Sequence, residues 1–298
     1  MERIRKLMGR RLVAGIPTLW LIALFLVPFL IVLKLSFSEV RLAVPPYAPL
    51  FAWLHGLPVP QLHLANYAFL FTDALYVSSY LYSLKVAAVA TLCCLLIGYP
   101  MAYAVARSRP STRNVLLMLI VLPFWTSFLL RVYAWIGLLK GNGVINNVLL
   151  ALGVIHEPLT MLQTDFAVYV GIVYAYLPFM ILPLYANLEK HDLTLLEAAA
   201  DLGARPVKAF LRITLPQSVP GMVAGALLVF IPAVGEYIVP SLLGRSDQIM
   251  IGRVLSDEFF ENRDWPLASA VAVLMLLVLV VPILAFQRFE RRELETHQ

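Results

Sequence analysis

Long apolar runs separated by short polar breaks make up most of this chain. A helix needs about 20 apolar residues to cross the hydrocarbon core of a bilayer. Six runs meet that length and predict transmembrane helices at 16–38, 81–106, 115–139, 166–188, 221–243 and 267–287. The first follows Met1-Glu2-Arg3-Ile4-Arg5-Lys6, a basic opening that also begins secretory leaders. Its apolar stretch is too long for a leader and no small-x-small site follows, so it is expected to remain as an anchor. The expected organisation is a tail over 1–15, a six-helix domain over 16–287 and a second tail over 288–298.

The longest patterned polar break is 189–220. Residues Leu195 to Leu202 are good helix formers, and Gly203 suits the left-handed position just past a helix C-terminus. Pro206 suits the first turn of a second helix, where its missing N–H is no loss. Lys208 and Arg212 fall four apart on one face of that helix, which is expected to end before Pro216. The segment therefore predicts helix, tight turn, helix: a compact knob.

Charge orients the chain. The two tails and breaks 107–114 and 189–220 hold fifteen Lys and Arg, against five in 39–80, 140–165 and 244–266. Cytosolic loops carry the excess of Lys and Arg, so both termini and the knob are expected in the cytosol. Composition agrees with a membrane protein: 61% hydrophobic, 14% charged, mean hydropathy +0.82. Soluble proteins run at roughly 45–50% apolar and about 25% charged. The net charge of +5 sits in short loops and tails, which points to topology and away from nucleic acid. The opposite loops carry nine acids against five bases. That balance favours cations arriving from outside, or simply mirrors the positive-inside bias. Residues 41–63, with Pro45, Pro46, Pro49, Pro58 and Pro60 beside Trp53 and His55, read as extended or irregular. Adjacent Cys93 and Cys94 read as packing residues, since neighbours in a helix point apart. No phosphate-cradling Gly-x-x-x-x-Gly-Lys-Ser/Thr occurs, so ATP binding by this chain is not expected.

Ionisable residues within spans are functional candidates by default. Lys34 and Lys85 lie near helix ends and can snorkel to the interface. Arg131 and Glu236 lie deeper, about 12 Å and roughly 10 Å in at 1.5 Å per residue. They either pair or serve separate uses, Glu236 attracting a cationic solute and Arg131 orienting it or guarding a gate. Pro232, Gly235 and Pro240 interrupt the fifth span around Glu236 and Tyr237. Such interruptions free backbone carbonyls, which are tolerated at membrane depth only against protein or a water-filled cavity. Phe124, Trp125, Tyr133 and Trp135 cluster at similar depth with Tyr174, Tyr176 and Phe179. Most of these rings read as interfacial belt or core, but Trp125 lies too deep for a belt.

The order Glu197-Ala198-Ala199, Gly203, Ile213-Thr214-Leu215-Pro216 resembles the EAA loop of ABC-importer permeases. Residues Leu122 to Ser127, Arg131 to Trp135, Ile231 to Pro240, Ile249 to Arg253 and Asn262 to Pro266 resemble permeases of polyamine importers, closest to the putrescine type. The resemblance implies an all-α integral membrane protein of six transmembrane helices with type I ABC importer permease architecture. It implies a subunit of the bacterial inner membrane that carries putrescine, or next spermidine, and catalyses nothing itself. Its partners would be a second related permease, two cytoplasmic ATPase subunits and an external polyamine-binding protein. No cofactor is expected on this chain, because ATP and Mg would sit on the ATPase. Glu197, Ala198, Ala199, Gly203, Ile213, Leu215 and Pro216 would form the ATPase-coupling loop, with Arg205, Lys208 and Arg212 as rim contacts. Trp125, Arg131, Tyr133, Trp135, Glu236 and Tyr237 would serve the substrate path. The alternatives are an ABC permease for another small solute and a secondary transporter of cations or amines.

Overall fold

Hydrocarbon offers no partner to backbone N–H and C=O groups, so a spanning segment must pair them internally. The apolar runs do so as helices in the computed structural model, which describes residues 15–49, 51–54 and 57–296. The basic opening Met1 to Lys6 and His55 lie outside the described residues. The chain divides into two compact units. The first joins residues up to Val77 with Leu255–Val278, and the second joins Ser78–Val254 with residues from Leu279 onward.

The first unit opens with helix α1, Gly15–Ser36, which exposes its apolar side chains along nearly its whole length. A helix end leaves carbonyls without intrahelical partners, and here helix α2, Ala65–Thr72, supplies them. Asn66 Nδ2 donates to the Ser36 and Ser38 carbonyls at 3.1 and 2.9 Å, and Tyr67 OH donates to Ser36 Oγ at 2.8 Å. Of the two forms expected of the Pro-rich segment, extended or irregular, the structure takes the extended one, as a short two-stranded ribbon. Strands β1, Phe51–Leu54, and β2, Leu57–Pro60, pair antiparallel with Phe51 opposite Pro60. Proline is tolerated where a strand has a free edge, and each strand of a two-stranded ribbon has one.

The remaining helices in chain order are α3 (Ala74–Ala106), α4 (Pro110–Val121), α5 (Phe128–Leu139), α6 (Val144–Ala151) and α7 (Asp165–Leu188). Then come α8 (Thr194–Asp201), α9 (Pro206–Gln217), α10 (Val219–Val234), α11 (Ile238–Leu243), α12 (Ile251–Ser256) and α13 (Trp265–Thr296). Five described helical stretches are long and apolar enough to cross a membrane. A sixth is reached by counting α9 and α10, which meet at 60°, as one span.

The core of the second unit lies where α7 packs on α3 and α10. Cys94 and Ala102 of α3 meet Met180, Ile181 and Leu184 of α7 and Val229 of α10, all buried. Gly225 sets how closely α10 approaches α7. A Cβ there would lie 2.8 Å from Met180 Sδ and 3.0 Å from the Met180 carbonyl oxygen.

Two spans are broken. The third, expected as one helix over 115–139, stops at a 3₁₀ turn, Leu122–Trp125. Thr126 and Ser127 are then extended before α5 begins. Pro123 contributes no N–H to the helix ladder. Its carbonyl is taken instead by the N–H and hydroxyl of Thr126, at 3.3 and 2.8 Å. The fifth span breaks at Gly235 to Tyr237, between α10 and α11.

Candidate coupling and translocation sites

The 189–220 segment folds as α8, a turn and α9. Asp192 Oδ1 accepts the Thr194 N–H at 3.0 Å at the start of α8, and that bond holds the Asp192 carboxyl below its ordinary value. At the other end Gly203 has φ +79°, its N–H reaches the Ala200 carbonyl at 2.8 Å, and the Ala204 N–H reaches Ala199 at 2.9 Å. This pair of bonds closes the last carbonyls of α8 and needs a left-handed residue that glycine adopts without penalty. Arg205 is extended ahead of Pro206, the first residue of α9. Helix α9 does not end before Pro216 but runs on to Gln217. The clash a proline causes is with the carbonyl four residues back. That residue, Arg212, lies in a widened π turn over Phe210–Thr214, which makes the room.

Glu197 stands in the first turn of α8, exposed, where the helix dipole favours a carboxylate. Ala198 is exposed beside it, and Ala199 half-buried. Arg205, Lys208, Arg212 and Pro216 are also exposed, whereas Ile213 and Leu215 are half-buried. Sequence reasoning missed the apolar residues on this polar segment. Leu202 is 89% exposed, and Leu193, Val207 and Leu211 are exposed as well. Contiguous exposed apolar residues mark interaction surfaces; their signal in the sequence was leucine and valine at turn and rim positions.

The knob is seated on α3 through Phe210. Its ring meets Tyr99 and Tyr103 edge-on, each at 5.8 Å and 89°. Tyr99 OH and Ser218 Oγ are 2.9 Å apart, tying α3 to the far end of α9. A cavity of about 220 Å³ remains beneath the knob, between Tyr103, Leu196, Ala200 and Phe210. A second tie is the ion pair of Arg113 with Glu189, which follows α7. Arg113 also donates to the Ala106 carbonyl at 3.2 Å, so one guanidinium joins the α3–α4 turn to the root of the knob. His191, at the same root, lies 3.2 Å from Asn187 Oδ1 through Nε2, and burial lowers its pKa.

The two deep charges do not pair. Neither belongs to the ion pairs Arg113–Glu189 and Arg245–Asp247. Glu236 is only 7% exposed, and its carboxylate caps α11. Oε1 accepts the Ile238 and Val239 N–H groups at 3.1 and 3.4 Å, and Oε2 accepts Tyr176 OH at 2.5 Å. Arg131 lies over the rings of Phe124 and Phe128, at 5.6 and 5.5 Å. Between the two charges the rings connect: Phe124 meets Phe179 at 5.2 Å, and Phe179 meets Tyr176 at 6.0 Å. An aromatic ladder thus runs from the guanidinium to the carboxylate, with a broken span at each end. Trp135 packs edge-on against Tyr174 at 5.5 Å. Trp125, at 74%, and Tyr133 and Tyr237 are exposed.

Both the sequence and the fold have known relatives. The sequence is 41% identical over 269 residues to the spermidine/putrescine transport system permease protein PotB of Haemophilus influenzae, covering 90% of each chain. The PotB protein of Escherichia coli K12 is 42% identical over 219 residues, 74% of this chain and 80% of the relative. The fold is similar to that of a bacterial ABC transporter involved in import of the acidic polysaccharide alginate. The TM-score is 0.71 at 17% identity, over 97% of this chain and 99% of the other. That likeness establishes the importer fold and says nothing of cargo, since one fold hosts many functions. Residues 94–294 match the family model described as binding-protein-dependent transport system inner membrane component. That stretch contains the seated knob, the ladder and both broken spans, and the chain is accordingly a member of that family, a membrane-spanning permease of the ABC importers.

Proposed function

We propose that this chain forms half of the path for a polyamine, putrescine or spermidine, through an ABC importer. The observation that carries the reading is the 41% identity over 90% of the chain to a spermidine/putrescine permease. The ladder supports it: a linear amine presents ammonium groups to ring faces and a carboxylate, and methylenes to apolar walls. The working assembly would be a heterodimer with a related permease, two cytoplasmic ATPase subunits and an external polyamine-binding protein. This chain would hold no cofactor, ATP and Mg being bound by the ATPase.

In this assembly the exposed face of the knob, with Glu197, Ala198 and Leu202, seats in a cleft of the ATPase. Closure of the ATPase dimer on ATP displaces the knob. Phe210 between Tyr99 and Tyr103 passes that displacement to α3, and Arg113–Glu189 passes it to α4. The path alternates between faces, the binding protein delivers its ligand, and hydrolysis resets the cycle. The chain makes and breaks no covalent bond.

Uptake of labelled putrescine and spermidine tests the reading, in cells that lack their own polyamine importers and express this chain with its partner subunits. Energy-dependent uptake of either is expected, with neutral and anionic solutes failing to compete. A complex that assembles, imports another solute and takes up neither polyamine would show the cargo assignment to be wrong.

A further inference from the structure

The aromatic ladder contains a positive charge, which repels a cationic cargo. Resting on the polyamine reading above, we infer that Arg131 is a tethered competitor of the cargo. Its guanidinium fills the cation-binding faces of Phe124 and Phe128 and leaves the Tyr176–Glu236 end as the receptive one.

The geometry carries this. A cation is attracted to a ring face within about 6 Å of the centroid, and Arg131 is within that reach of both rings. No carboxylate holds it: the described ion pairs do not include it, and its buried Nε has no hydrogen-bond partner among the described residues. The rings are therefore its seat. At the other end the buried Glu236 carboxylate is reached through Tyr176, whose hydroxyl it accepts, with Phe179 exposed and Tyr176 half-buried beside it.

Energetics explains the need. Each ring face attracts an ammonium, and more strongly where water is excluded. The four rings Phe124, Phe128, Phe179 and Tyr176 with a carboxylate would add up to a trap for a molecule with several ammonium groups. Passage requires a site favourable enough to enter and weak enough to leave. Arg131 removes one end of the ladder from the cargo and repels any ammonium that approaches it. The site then takes a single amine at Glu236 and releases it. Thr126-Ser127 and Gly235 to Tyr237 break the helices beside the two ends, and irregular backbone at this depth is where a water-filled path can run.

The test uses the whole importer, purified without its binding protein, and equilibrium binding of labelled spermidine alongside uptake into proteoliposomes. Arg131→Gln and Arg131→Met, the latter keeping the packing of the stem, should each bind spermidine about tenfold tighter, the worth of roughly one ring face. Both should also turn over more slowly. Arg131→Lys keeps the charge and should bind as weakly as the wild type. Adding Glu236→Gln to Arg131→Gln should abolish the tighter binding. A residue needed only for packing would not raise affinity. Neutral variants that assemble and bind no tighter than the wild type would overturn the inference. So would failure of both neutral variants to assemble while Arg131→Lys does. In either case spermidine uptake by the wild type leaves the polyamine reading standing; its absence removes both.

Discussion

Glu236 carries two tasks at the scale of the single residue. It caps α11 and takes the Tyr176 hydroxyl at a buried position, so removing the side chain leaves three donors without this acceptor. Leaving a buried donor unpaired costs about 1–3 kcal/mol. Glu236→Ala is therefore expected to lower the thermal midpoint of the purified importer. Glu236→Gln retains an acceptor for α11 and should leave the midpoint near that of the wild type while polyamine uptake falls. Equal destabilisation by the two variants would mean that the charge contributes to stability rather than to transport. The candidacy of Arg131 and Glu236 rested on their being ionisable residues within apolar runs. Their separation could not be read, because the Phe124–Phe179–Tyr176 contacts join residues from two different helices and no local pattern announces them.

Sequence and structure part company mainly at breaks in the elements. Gly203 was legible because a left-handed turn after a helix has one favoured residue. The stop at Trp125 was not, because an apolar run hides a break that depends on Thr126 taking the Pro123 carbonyl. Continuation through Pro216 was missed for the opposite reason: the π turn before it cancels a clash that the proline rule assumes. The seat of the knob was invisible, since Phe210 looks like any apolar residue of an amphipathic helix until α3 lies against it. Two outcomes follow at this scale. Gly203→Pro should abolish uptake and cargo-stimulated ATP hydrolysis while the chain still inserts, because the N–H to Ala200 and the left-handed turn are both lost. Normal coupling in that variant would remove the knob from the mechanism. Gly225→Leu drives its side chain into Met180, and overpacking of this kind costs about 1–3 kcal/mol. A lower thermal midpoint is expected, and an unchanged one would mean that α7 and α10 can separate freely.

The proposed function makes the whole molecule a path joined to a lever, and both parts depend on which side of the membrane the knob occupies. We propose the cytosolic side for it, because the Lys and Arg distribution follows the positive-inside rule in that orientation. A cysteine at Lys190 should be labelled by an impermeant reagent only from the cytosolic side; labelling from outside would reverse the proposed topology. The central claim is that ATP hydrolysis drives polyamine through this chain by way of the knob. The direct measurement is ATP-driven uptake of labelled putrescine and spermidine into proteoliposomes holding the complete importer, wild type against Glu197→Lys. Uptake by the wild type and none by the variant, at equal assembly, is the result this account predicts. Equal uptake by both, or none by a wild type that hydrolyses ATP in response to another solute, would contradict it.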